Sequence, residues 1–217
     1  MKLSLNWIKE FVEIPAKLSA QMLADLLTVR TCEVEGFEDQ ARTFANIVVG
    51  EVQAVRAHTN ADKLRIVDTD IGGRTVQIVC GGENVQPGLH VAVALPGAVV
   101  KWHGTDVVEL KETKIRGEAS FGMICAEEEI SLPVFTPQNG VTIADLSYAF
   151  NAMHVLPAKP GTPLAKALGL EDIIFEVDNK SLTHRPDLWG HYGMAREFAA
   201  FLGKKLKKIA VKPVPKK

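Results

Sequence analysis

The sequence is short of cysteine, short of aromatic residues and without any long apolar run. Each shortage removes a class of protein. Cys32, Cys80 and Cys125 are far apart, odd in number and lack CxxC spacing, so neither a disulfide framework nor a zinc site is expected. They read as reduced, half-buried thiols of a cytoplasmic protein. No stretch approaches the roughly 18 consecutive apolar residues of a membrane span. The opening Met1-Lys2-Leu3-Ser4-Leu5-Asn6-Trp7 has one basic residue and no apolar core, so no secretory signal is expected. Gly81-Gly82 is followed by neither a lysine nor a helix, which excludes a P-loop. Cys80 and Cys125 have no sequence-evident base beside them, so neither reads as a nucleophile.

What is present is an ordinary globular composition, 47% hydrophobic and 24% charged over 217 residues, which fits one or two domains. The net charge of −1 conceals an asymmetry. No acidic residue follows Glu197. Lys204, Lys205, Lys207, Lys208, Lys212, Lys216 and Lys217 crowd the last stretch, leaving 18 Lys and Arg against 26 Asp and Glu, a net of −8, in residues 1–203. Non-specific phosphate binding wants a basic surface. Any contact with RNA must therefore rest on a local patch.

Along the chain, Ser4 caps a helix carrying Leu5, Ile8, Phe11 and Val12 at helical spacing, with Pro15 ending the run. Ser19 caps a second, with Leu18, Met22, Leu23, Leu26 and Leu27 on one face. Thr31 to Phe37 reads as extended. So small a piece buries too little apolar surface to stand alone and must pack on a later segment. Residues 44–130 change character. Short β-rich runs at 47–57, 64–71, 74–80, 90–95, 107–113 and 121–126 are separated by Gly, Pro and Asn. Val76, Ile78, Cys80 and Val91, Val93, Leu95 alternate as in half-buried strands, and Gly72-Gly73 reads as a hairpin turn. So many short strands with little helix predict a small closed barrel. Residues 131–163 are punctuated by proline. A short helix is expected at 164–169, a strand at Ile173–Val177, and a helix from Leu188 to Leu202 stopped by Gly203. The two flanks are expected to form one discontinuous α+β domain, 1–40 plus 152–203, into which an all-β barrel, 41–151, is inserted. Residues 204–217 read as a linker.

Several residue groups are candidates for chemistry. Asn60 and Asp62 suit a turn after His58, and Lys63 and Arg65 read either as phosphate contacts at a barrel rim or as solvated charges. Lys111, Lys114 and Arg116 alternate with Glu109, Glu112 and Glu118, and arginine offers a planar fork for phosphate or a base edge. Against them, residues 45–130 carry eight basic and twelve acidic side chains, with Phe121 and Trp102 the only stacking candidates. Ser120, Gly122, Met123 and Cys125 read as packing and turn geometry. His184-Arg185-Pro186-Asp187 tempts an acid–base reading, but Asp187 sits where it would cap the last helix and Arg185 where it would pair with Glu197.

Four stretches carry a family resemblance. The opening Met1–Val12 is similar to the start of the phenylalanyl-tRNA synthetase β subunit. His58-Thr59-Asn60-Ala61-Asp62-Lys63-Leu64 resembles the H-P-x-A-D-x-L signature of tRNA-binding OB domains, with Thr59 where proline is usual. Ile78–Val85, Leu95–Ala98 and Lys114–Cys125, the last similar to K-x-R-G-x-x-S-x-G-M-x-C, resemble its later strands and turns. Asn179–Glu197, with His184–Asp187 and Gly193–Glu197, resembles the segment following the barrel. In this order they span essentially the whole chain. The resemblance implies an α+β host domain with an inserted all-β OB-fold barrel. It implies a non-catalytic amino-terminal region of the β subunit, contributing tRNA binding and subunit assembly to the ATP-dependent charging of tRNA(Phe). The expected tRNA-binding residues are Lys63, Arg65, Lys111, Lys114 and Arg116. No catalytic, metal or cofactor residue is expected here; ATP and magnesium are implied for the complete enzyme. The expected partners are tRNA(Phe) and the α subunit, in a heterotetramer of two α and two β. An autonomous tRNA-binding or RNA-chaperone module, a protein-interaction scaffold without RNA binding, and a small hydrolase using His184 and Asp187 are the competing readings.

Overall fold

The computed structural model describes residues 1–208 apart from His103. Lys212, Lys216 and Lys217 of the expected linker lie outside the described residues. In chain order the elements are β1 (Lys2–Ser4), α1 (Leu5–Phe11), α2 (Ala20–Arg30), β2 (Val34–Asp39), β3 (Ile47–His58), β4 (Ala61–Asp70), β5 (Thr75–Cys80) and β6 (His90–Ala94). They continue as β7 (Val99–Trp102), β8 (Asp106–Glu109), β9 (Thr113–Ile115), β10 (Glu118–Ser120), β11 (Met123–Ile124), α3 (Leu146–Ala152), α4 (Leu164–Ala167), β12 (Ile173–Val177) and α5 (His191–Leu202). No helix among the described residues is long and apolar enough to cross a membrane.

Met1–Gln40 and the segment from Asp172 onward form one compact unit. Its sheet has the order β1-β12-β2, all antiparallel, with Phe175 opposite both Leu3 and Phe37. Ser4 accepts the Trp7 amide at 3.0 Å and Ser19 the Met22 amide at 3.2 Å, so both expected caps form. Helix α1 ends at Phe11, before Pro15, with Val12 as its cap. Leu23 and Leu27 of α2, Phe175 of β12, and Met194 and Phe198 of α5 bury one shared core. The apolar faces expected from helical spacing are thus mostly spent on each other; Met22, expected on the α2 face, is instead 51% exposed. Gly193 lets α5 approach the preceding turn, since a Cβ there would meet the Asp187 carbonyl oxygen at 2.0 Å.

Ala41–Glu171 form the second unit. Its main sheet runs β11-β6-β3-β4-β5, antiparallel throughout, with separate two-stranded ribbons β7–β8 and β9–β10. Strand pairing does not join β5 to β11 into a ring among the described residues. The unit extends past the expected boundary at 151. Leu164 and Leu168 pack with Ile47, Val49 and Phe150 in one core. Val49 also donates its amide to Thr162 at 2.9 Å and accepts that of Gly161 at 2.8 Å. Residues 152–171 are therefore tied to the sheet from which the sequence pattern separates them. The same packing alters β6. Val91, Ala92, Val93 and Ala94 are all fully buried, because Val91 and Val93 face the sheet core while Ala92 and Ala94 face α3 and α4. A half-buried alternation was expected; a strand covered on both sides is what forms.

Candidate functional site

Two turns of the second unit meet. Strand β3 enters the first at His58, which is 7% exposed. Its Nδ1 accepts the Asn60 amide at 3.0 Å, so the ring proton sits on Nε2, which donates to the Ile115 carbonyl at 3.1 Å. Asn60 Nδ2 donates to the Arg116 carbonyl at 3.4 Å, and Thr59 Oγ1 to Glu118 at 3.0 Å. The second turn joins β9 to β10, with Arg116 at φ +49° and Gly117 at φ +100° between the paired residues Ile115 and Glu118. This is the two-residue hairpin geometry that matches strand twist. His58 and Asn60 thus bond backbone groups of the two turns, and Thr59 the Glu118 carboxylate.

The cations follow from these turns. Lys63 and Arg65 lie exposed near the start of β4, just past the first turn. Arg65 Nη1 folds back onto the carbonyls of Asp62 and Leu64, at 3.1 and 3.2 Å. Lys114 stands exposed in β9 opposite Ala119, and Arg116 is exposed in the second turn. Lys111 is exposed in the connection between β8 and β9, outside both turns. So the structure couples two turns, one holding Arg116, next to the strand positions of Lys63, Arg65 and Lys114, and leaves Lys111 on a separate segment. Glu118, at the end of the same β9–β10 turn, adds a carboxylate beside these cations. Arg56 is paired with Asp68 at 2.7 Å.

Sequence reasoning missed Arg74. Its guanidinium lies 4.4 Å from the centroid of the Phe121 ring. Beside them is an open concavity of about 620 Å³ lined by Val76, Gln77, Lys114, Ala119 and Phe121 among others. The only signal in the sequence was a basic residue directly after Gly72-Gly73. Nothing local says that residue 74 meets residue 121. Trp102, the other stacking candidate, sits in β7 opposite Asp106.

Of the acid–base candidates, His184 is exposed and Asp187 has structural employment. Arg185 forks onto both Asp187 oxygens at 2.9 Å and reaches Glu197 at 3.2 Å. Glu197 also accepts Thr31 Oγ1 at 3.0 Å. The Arg185 side chain holds the Asp187 carboxyl below the usual carboxylate range. Asp187 does not cap α5: the N-cap is Gly190, which has no side chain to offer, and the Asp187 carboxylate is paired with Arg185. All three thiols are buried. Burial, then the Glu197 charge, pushes Cys32 up to about 11, and burial likewise raises Cys80 and Cys125. Thiols so shifted are poor nucleophiles. No cluster of three or more His, Cys, Asp or Glu able to hold a metal occurs among the described residues.

Residues 47–145 match the family described as "Putative tRNA binding domain". Over 99% of its length the chain is 36% identical to the phenylalanine–tRNA ligase β subunit of Neisseria meningitidis serogroup A. It is 40% identical over 95% to that of Geobacter sulfurreducens, and 39% over 92% to that of Chlorobaculum tepidum. The chain spans about a quarter of the length of these relatives, 25%, 23% and 23% respectively. The C-terminal domain of Plasmodium vivax p43 aligns at 27% identity over 36% of this chain and 44% of its own, with a TM-score of 0.29.

Proposed function

From a chain whose relatives over nearly all its residues are phenylalanine–tRNA ligase β subunits, we propose that it is a non-catalytic docking region of such a subunit. It contributes tRNA(Phe) binding and subunit assembly to ATP-dependent charging in the cytoplasm. Phenylalanine activation, with its ATP and magnesium, belongs to other parts of the complete enzyme. The RNA contact is an OB-type barrel inserted between the two halves of the α+β unit. The amide of Phe121 donating to Gln77 at 2.9 Å, and that of Val79 to Ser120 Oγ at 3.0 Å, support closure beyond strand pairing.

The observation that carries this reading is the hydrogen-bonded pair of turns, 58–60 with 115–117. It supports a single rim on which Lys63, Arg65, Lys114 and Arg116 meet phosphates, with Lys111 as an outlying contact. Four cations on one rim give a local field that the acidic body lacks. In the α+β unit, Trp7, Trp189 and Tyr192 are 51%, 54% and 40% exposed around one concavity. Exposed aromatics of this kind suit a protein interface, and the α subunit is the proposed partner.

Titration of tRNA at several salt concentrations tests the rim. Neutralising Lys63, Lys114 and Arg116 together is expected to weaken binding and flatten the salt dependence, by up to about one slope unit for each phosphate that no longer meets a cation. Equal affinity of variant and parent would remove these residues from the patch. Loss of α-subunit capture by Trp7→Ala with Trp189→Ala, with tRNA affinity retained, is expected for the second surface.

A further inference from the structure

We propose that the concavity between β5 and the β9–β10 ribbon seats one unpaired base of an RNA strand, stacked on Phe121, with the adjoining phosphate on Lys114. This deepens the tRNA-docking reading and rests on it. The first support is how firmly the ring is aimed. Phe121 is tethered through its amide to Gln77. On one side, Ser120 accepts the Val79 amide and donates to the Gly122 carbonyl at 3.0 Å. On the other, Gly122 has φ +90° and no room for a side chain, because a Cβ would lie 2.3 Å from the Ala94 carbonyl oxygen. The Ser120-Phe121-Gly122 run is therefore a rigid mount, and Phe121 supplies its aromatic ring to the cavity lining.

The second support is chemical. Val76, Ala119 and the Phe121 ring give the concavity apolar walls, while Gln77, Thr113, Ser120, Lys114 and the carboxylate Glu112 bring polar groups to it. The pairing of Lys114 with Ala119 sets both on one face of the ribbon, side by side in the lining of the space. Arg74 lies over the ring from outside β5. A volume of about 620 Å³ falls within the range of small-ligand sites. Lys114 in the lining and Arg74 over the ring, against the single carboxylate Glu112, leave the slot suited to a flat aromatic ligand carrying a phosphate. Stacking is tolerant of base identity, because every base has a π-face.

The test uses the whole chain and three probes: tRNA, a fluorescein-labelled oligouridylate of about eight nucleotides, and an RNA duplex of the same length. The expected result is that Phe121→Leu weakens oligouridylate binding about ten-fold and leaves duplex binding unchanged. Phe121→Tyr restores affinity, and Arg74→Met gives a smaller loss. Circular dichroism melting checks that each variant is folded. Should Phe121→Leu, Phe121→Tyr and Arg74→Met all bind oligouridylate as the parent does, or should single strand and duplex weaken alike, the base site is overturned while tRNA docking stands. A parent chain that binds none of the three probes would overturn the docking reading itself.

Discussion

Arg185 spans Asp187 and Glu197, so one guanidinium joins the turn before α5 to α5 itself. The pair is partly solvated, which limits its worth at neutral pH, but its sign with pH is fixed. Asp187 has a folded-state value depressed chiefly by the hydrogen bond from Arg185. Its stabilisation is therefore complete above the unfolded carboxylate value near ~3.9 and is lost as pH falls through the folded value. Arg185→Met is expected to lower the melting temperature at about pH 7, with the gap to the parent closing towards about pH 3. A gap that is constant with pH would mean Arg185 acts through packing alone. The thiols make a second residue-scale prediction. With burial raising all three, the native chain should react slowly with a disulfide reagent at about pH 8 and titrate three thiols only when unfolded.

At the scale of elements, the β9–β10 hairpin and its exit carry the most stringent geometry. Gly122→Ala combines a positive φ with a backbone clash and is expected to cost about 3 kcal/mol or more. Gly36→Ala, at a strand position with open space around it, should fall within about 1 kcal/mol of the parent. Urea midpoints separate the two. Ser19→Ala should cost about 1 kcal/mol through loss of its cap on α2. These elements differed in how plainly the sequence announced them. The two serine caps, Gly203 and the strand Ile173–Val177 were readable because each is a local signal of known period or chemistry. Strand β7 was not, and the run expected at 107–113 meets β8 only in part. Asp106–Glu109 is four residues long, exposed throughout and without apolar alternation, so period carries no information there. Thr113–Ile115 and Glu118–Ser120 are three residues each, and charged residues interrupt them. Val91–Ala94 misled for the opposite reason: α3 and α4 cover a face that a lone sheet would leave wet.

At the scale of the whole molecule, the candidate rim was only half legible. Its cations were visible as residue types, and the coupling of their turns was not, because the His58–Ile115 bond joins positions 57 apart in the chain. Arg74 over Phe121 has the same character. Long-range meetings of this sort depend on register, and register in short strands is set by packing rather than by local pattern. The division of labour follows from charge. Residues 1–203 carry a net charge of −8, so diffuse attraction to RNA is unfavourable and affinity must concentrate where lysine and arginine gather. The decisive measurement for the coupled turns is amide hydrogen exchange of the chain with and without saturating tRNA(Phe). Slowed exchange in 58–66 and 111–121, with 179–197 unchanged, is the expected pattern. Protection centred on 179–197, with the two coupled turns exchanging as in the free chain, would contradict it.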